Sequence, residues 1–178
     1  MSEAPQIRHG VRLGVDVGSV RVGVAASDPD GRLAMPVETI RRDTEASADG
    51  SRPPDLRRLA GLVRELGAIE VVVGLPRSLD GTEGAAAGAA RAYAEMITGA
   101  VGNVTVRLVD ERLSTVSAHR DLREAGRPGR RQRGVVDQAA AVTILQAALD
   151  AERSQGAPRG EVVSGPGARK GRRMRGRK

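Results

Sequence analysis

This sequence predicts an α/β domain: a mixed five-stranded sheet, an antiparallel meander plus parallel strands, flanked by helices. Three observations carry that class. The first 40 residues hold three apolar, strand-like segments joined by short turns. Beyond them, segments of helical periodicity alternate with short β-branched runs, the pattern of helices packed on the faces of a sheet. The length of 178 residues suits one compact domain with a real core, plus a tail.

Residues 11–16 (VRLGVD) are mostly apolar without clean alternation, as in a central strand buried on both faces. Val17-Gly18-Ser19 reads as a turn, and residues 20–27 as a second strand. Asp28-Pro29-Asp30-Gly31 is a strong turn signal, with a third strand near 33–40. Residues 41–54 are polar, contain Gly50 and Pro53-Pro54, and read as a loop. Over 55–66, Leu56, Leu59, Leu62, Val63 and Leu66 share one helical face, with Gly67 as the stop. Residues 69–74 (IEVVVG) suit a buried strand. Asp80-Gly81-Thr82-Glu83 starts a helix in this reading, continued by the Ala-rich stretch to about 98, where Gly84 and Gly88 weaken helix propensity. Residues 104–109 predict another strand, and 114–125 a helix capped by Ser114 or Thr115 and closed at Gly126. An Arg-rich loop then precedes a last helix from about 136 to 153.

Composition removes several function classes. There is no Cys, which excludes a disulfide framework, a zinc ribbon and thiol catalysis. One Tyr and no Phe or Trp leave an aliphatic core. No apolar run approaches the ~20 residues of a membrane helix, so no membrane partner is expected. Residues 1–10 lack the apolar segment of a secretory signal, and a soluble cytoplasmic protein is expected. The formal charge of +7 is confined to the end: residues 159–178 hold eight bases and one acid, while residues 1–158 are neutral overall. The expected division is a flexible N-terminus (1–10), a folded domain (11–153) and a disordered basic tail (154–178). Such a tail is either a polyanion tether or merely solubilising, so the charge alone does not mark a nucleic-acid protein.

Acids at the ends of apolar segments are the candidates for chemistry, because burying an unpaired carboxylate is costly. Asp16 closes an apolar strand just before Gly18, Glu111 follows the 104–109 strand beside Asp110, and Asp137 heads an apolar helix. Each also has a plain structural reading: Asp16 as a turn former, Asp137 as a charge at a helix N-terminus, Glu111 as a surface partner of Arg112. Convergent carboxylates repel unless a cation neutralises them. Hard, oxygen-preferring Mg²⁺ or Mn²⁺ are the natural partners, and two such ions can activate water and stabilise a leaving oxygen at a phosphodiester.

At these residues the chain resembles the YqgF/RuvX family, described as pre-16S ribosomal RNA nucleases and Holliday-junction resolvases. The likeness is carried by GVDVGSVRVGVAASD (14–28), VVVGLPRSLDGTEG (71–84), VRLVDERLSTVSA (106–118) and VVDQAAAVTILQ (135–146), in the family's order across residues 11 to about 150. The resemblance implies an RNase H-like fold and metal-dependent hydrolysis of phosphodiester bonds. It puts the family's catalytic, metal-holding acids at Asp16, Glu111 and Asp137, with Asp110 the less favoured substitute for Glu111. The sequence departs from the family pattern at Arg77-Ser78-Leu79, where an apolar–Asn–Met run is the family's habit.

Substrate-binding candidates cluster around the same acids. Gly18, Ser19 and Arg21 follow Asp16, where backbone N–H groups and a guanidinium can meet a phosphate. Arg112 and Thr115 adjoin Glu111; Arg130, Arg131 and Arg133 precede Asp137 in a stretch without acids, which is either a phosphate grip or a solvated loop. With no aromatic interleaving, recognition is expected through phosphates and shape rather than base stacking. His9 and His119 lack ligand-like spacing and are expected to be bystanders.

The expected partner is therefore nucleic acid: precursor ribosomal RNA trimmed in processing of the 16S 5′ end, or, alternatively, a four-way DNA junction. The chain would act as a monomer or homodimer, a dimer being what a two-fold junction demands. Two other classes compete. An actin- or sugar-kinase-like ATPase also has Asp-x-Gly-Ser after a first strand, but needs two such domains. A non-catalytic nucleic-acid adaptor would have lost the acids, and all three are present.

Overall fold

The computed structural model describes residues 7–43, 50–113 and 130–165, with side chains except at 113 and 130–135. Strands β1 (Arg12–Val17), β2 (Arg21–Ser27) and β3 (Ala34–Arg41) form the expected meander. Helix α1 (Pro54–Glu65) leads to β4 (Glu70–Leu75), which pairs parallel to β1. Helix α2 (Ala85–Val101) then leads to β5 (Thr105–Asp110), parallel to β4. A single 3-10 turn at Glu111–Leu113 ends this part, and the long helix α3 (Arg130–Gln155) follows.

Alternation along the strands sorts the core into two layers. Leu13, Val15 and Val17 of β1, with Val71, Val73 and Leu75 of β4, pack against α1 and α2. Ala25, Val72 and Val109 face the other way, against Ala140, Ala141, Ile144, Leu145 and Leu149 of α3. Because β1 and β4 are covered on both faces, their sequences read as nearly continuous apolar runs.

Five expectations need correction. The sheet has six strands, in the order β3-β2-β1-β4-β5-β6, not five. The extra strand, β6 (Glu161–Val162), adds antiparallel to β5 and lies inside the stretch expected to be a structureless tail from 154. Val163 N–H donates to Val106 C=O (2.9 Å) and Glu161 pairs with Arg91 (2.9 Å), so backbone pairing and an ion pair hold it, with half-buried Val163 packed against the core beside it. Residues 166–178 lie outside the described residues.

Residues 7–10, expected to be flexible, are tied down: Arg8 pairs with Glu70 (2.7 Å) and Glu152 (2.8 Å), and Gly10 N–H donates to Pro29 C=O (2.7 Å). Helix α2 starts at Ala85 rather than near Asp80, because Thr82 N–H and hydroxyl both donate to Asp80 Oδ1 (3.0 and 2.8 Å), a local turn that competes with helix. The last helix begins at Arg130, not 136, so the second half of the expected Arg-rich loop is helical. Arg and Gln are good helix formers, so an Arg-rich stretch is compatible with helix. The helix expected over 114–125 and His119 lie outside the described residues.

Under the C-terminal half of α3 the sheet face is ionic. Arg12, Glu70 and Glu152 are all buried, and Glu70 takes Arg8 and Arg107 (2.9 Å) while Glu152 takes Arg8 and Arg12 (3.2 Å). Hydrogen bonds from Arg8 and the charge of Arg12 outweigh the burial of Glu152 and hold its carboxyl below the usual range. These buried acids are thus neutralised by arginines and need no cation.

Candidate functional site

Asp16 sits near the opposite end of that face, where the parallel strands β1, β4 and β5 all finish. It is 4% exposed. Register fixes its neighbours. Gly23 of β2 is its antiparallel partner, and Gly23 in turn pairs with Thr39 of β3. On the other side Val15 pairs with Val73, which brings Gly74 level with Asp16. Since Val15 and Val17 face α1 and α2, Asp16 faces α3.

Two glycines flank Asp16 because other chain groups occupy their side-chain space. A Cβ on Gly23 would stand 2.0 Å from the carbonyl oxygen of Asp137; one on Gly74 would stand 2.6 Å from Glu111 Oε1. The backbone at Asp137 therefore lies directly on the sheet over one neighbour of Asp16, and the Glu111 carboxylate lies over the other. Only a residue without a side chain allows such an approach within a strand. Gln138 adds a tie at the same level, its Nε2 donating to Thr39 Oγ1 (3.3 Å). Glu111 is 2% exposed and Asp137 half-buried. The sequence-predicted acids thus share one level of one face, at the C-terminal strand edge where open α/β sheets take ligands. As placed, no three His, Cys, Asp or Glu side chains among the described residues close into a ligand set for an ion.

Asp110 has a different role. Arg112 donates to both of its carboxylate oxygens (2.7–3.1 Å) and its own backbone N–H bonds Oδ1 (3.0 Å). Those bonds hold the Asp110 carboxyl below the usual range despite its partial burial. Asp110 and Arg112 are therefore a fixed pair beside Glu111, and the pairing engages Nε and one Nη of the guanidinium.

Among the other substrate-binding candidates, Gly18 departs from expectation. Its N–H donates to Arg21 C=O (2.8 Å) and its C=O accepts from Arg42 Nη1 (3.0 Å), so its amide closes the β1–β2 turn rather than facing a ligand. Ser19 is exposed at the turn's tip and Arg21 is half-buried at the start of β2. Arg130, Arg131 and Arg133 lie in the first turns of α3, with their side chains outside the described ones; Thr115 is outside the described residues. His9 is exposed beside Asp30 (3.3 Å), apart from the three acids.

Sequence reading missed the support beneath this turn. Arg42 lies over the ring of Tyr93 (4.9 Å to the centroid), and the buried Tyr93 hydroxyl donates to Asp55 Oδ2 (3.0 Å). Burial, reinforced by the Asp55 charge, pushes the Tyr93 phenol well above its ordinary pKa, so it stays a donor. The signal was present: a lone aromatic in an Ala-rich helix. Beside Glu111, a cleft of about 380 Å³ opens between α3 and the end of β5, floored by Val109, Ile144, Ala147 and Ala148.

Comparison with known proteins places this geometry. The model of a family described as "RuvX: Holliday junction resolvase" matches residues 10–151. A protein of Kineococcus radiotolerans named "Putative pre-16S rRNA nuclease" is 56% identical over 170 residues, covering 96% of this chain and 87% of that protein. One of the same name from Thermobifida fusca is 53% identical over 166 residues, covering 89% of this chain and 99% of its own length. Among solved structures, T. thermophilus RuvC in complex with a Holliday junction substrate superposes with a TM-score of 0.51, covering 84% of this chain and 99% of that one. At 16% identity that likeness speaks for the fold alone.

Proposed function

The chain belongs to the RuvX family, and we propose that it is a nuclease that hydrolyses phosphodiester bonds of precursor 16S ribosomal RNA, using Mg²⁺ or Mn²⁺ held by Asp16, Glu111 and Asp137. The observation that carries this reading is the row Gly23–Asp16–Gly74, two bare positions that admit Asp137 and Glu111 on either side of a buried carboxylate. The donor chemistry fits hard divalent cations, since all three groups offer oxygen and the chain has no thiol. Rotation of three carboxylate side chains is the movement that closes them on an ion. When bound, such cations polarise a phosphoryl oxygen and lower the pKa of a water nucleophile.

The chain's own residues supply position. Asp16 is carried on a strand buried on both faces, so its backbone is rigid. Asp137 arrives with a helix seated on Gly23 and tied by Gln138 to Thr39. Ser19 and Arg21, at the turn that Arg42 braces, contact the substrate backbone. Arg130, Arg131 and Arg133 stand at a helix N-terminus, where the dipole already favours a polyanion. Ribosomal RNA as substrate follows the names of the relatives. No described helix is long and apolar enough to cross a membrane; action on precursor RNA places the protein in the cytoplasm.

A DNA-junction resolvase is the second reading, favoured by the family's description. One experiment separates them. Purified chain with Mg²⁺ or Mn²⁺ is given precursor ribosomal RNA and a four-way DNA junction in parallel, and its mass in solution is measured. Cleavage of the RNA by a monomer is expected; junction cleavage by a stable dimer would replace the RNA reading with the resolvase one. Activity that survives EDTA would remove both.

A further inference from the structure

Leu79 is 94% exposed, whereas no other large hydrophobic side chain among the described residues exceeds 57%. Single exposed apolar residues are ordinary on protein surfaces. This one is unusual in being held rigidly beside the candidate site. Its loop leaves the end of β4, just beyond Gly74, and closes on itself: Ser78 N–H donates to Thr82 C=O (3.1 Å) and Gly81 N–H to Ser78 C=O (2.8 Å). Asp80 Oδ1 accepts twice from Thr82 (3.0 and 2.8 Å). From outside, Arg112, the residue after Glu111, lies against Gly81, where a Cβ would stand 3.2 Å from its Nη1. Arg77 is anchored to Glu83 (2.9 Å). A stiff tip next to Glu111 therefore carries an isobutyl group into solvent.

An enzyme that isolates one phosphodiester in a polymer of stacked bases gains from a surface that parts the bases beside it. Aromatic side chains commonly serve. This chain has none to spare: its single Tyr is buried between Arg42 and Asp55, and Phe and Trp are absent. Aliphatic side chains, Leu among them, can part base steps instead.

We infer that Leu79 is an apolar wedge that enters between bases flanking the bond to be cut and unstacks the strand there. A wedge parts a base step without reading its sequence, which suits recognition through phosphates and shape. The inference rests on the nuclease reading and deepens it, naming single-stranded or locally opened RNA as the bound form.

The test uses the full chain in EDTA, which separates binding from cutting. Single-stranded precursor RNA segments carry 2-aminopurine at successive positions to report unstacking, and fluorescence anisotropy of a labelled end reports binding. At saturating protein, the wild type and Leu79→Met should brighten 2-aminopurine within the segment that the protein covers. Leu79→Ser should lose that rise, with affinity reduced by about ten- to a hundredfold, the scale of one leucine's burial. Circular dichroism should match throughout, because the side chain packs on nothing. Bound Leu79→Ser that unstacks RNA as the wild type does would overturn the wedge and leave the nuclease reading standing, as would bound wild type that brightens no position. A wild-type chain that does not bind RNA at all would overturn both.

Discussion

Asp16→Asn is expected to leave the chain folded and to abolish cleavage of every substrate the wild type cuts. Asn keeps the shape and one oxygen donor but removes the charge that a hard divalent ion requires. Activity alone would not separate a metal ligand from a structural acid, so thermal unfolding with and without Mn²⁺ is the sharper measurement. A ligand that binds only the folded state stabilises it by mass action, about 2.7 kcal/mol at a concentration of about 100 times Kd. Wild type should therefore melt higher with Mn²⁺, and Asp16→Asn should melt at one temperature in both conditions. Without metal the variant should keep the wild-type fold, because Asn conserves the size and shape of the side chain. A metal-free Asp16→Asn that unfolds easily would mean that Asp16 is a structural acid, with its chemistry elsewhere.

Gly23→Ala tests the geometry without touching any acid. The new methyl would stand 2.0 Å from the Asp137 carbonyl oxygen, and both groups are backbone-fixed, one in a central strand and one in a helix. Helix α3 must lift at its start, dragging Asp137 and breaking the Gln138–Thr39 contact. Overpacking of this kind costs about 1–3 kcal/mol of stability. A displacement on the order of 1 Å at the reacting groups costs about 100-fold in rate. Gly23→Ala should thus cut kcat on the order of 100-fold while binding of RNA in EDTA changes little. Equal activity in the variant would mean that the start of α3 moves freely and that Asp137 owes nothing to this seat.

Much of this architecture is legible in the chain. The meander, the two crossover helices and the sheet's double covering follow from hydrophobic period and turn residues, each local and strong. Asp16 is legible as a candidate because an acid ends an otherwise apolar strand. Glu70, however, interrupts an equally apolar strand and Glu152 lies in an equally buried helix, and both are neutralised by Arg8, Arg12 and Arg107 from distant parts of the chain. Burial of an acid is visible locally; the partner that excuses it is not. The same limit hid Arg42 and Tyr93, whose alignment under Gly18 depends on how β3 and α2 pack.

Other differences have equally physical origins. Strand β6 escaped notice because two residues paired to an edge leave no periodic pattern. Gly18, expected to offer its N–H to a phosphate, instead uses it to close the turn that presents Ser19. The roles of Gly23 and Gly74 are unreadable until register places them beside Asp16. A glycine in a strand signals close approach by something, and only the fold says that here the approaching groups are the backbone of Asp137 and the carboxylate of Glu111.

The proposed activity depends on the carboxylates of Asp16, Glu111 and Asp137 sharing divalent ions at the end of β1. Anomalous scattering from a crystal of the wild-type chain grown with Mn²⁺ tests that most directly. Manganese density is expected within bonding distance of oxygens from all three residues, and none there in Asp16→Asn. Manganese bound elsewhere, with these three side chains turned to other partners, would contradict it.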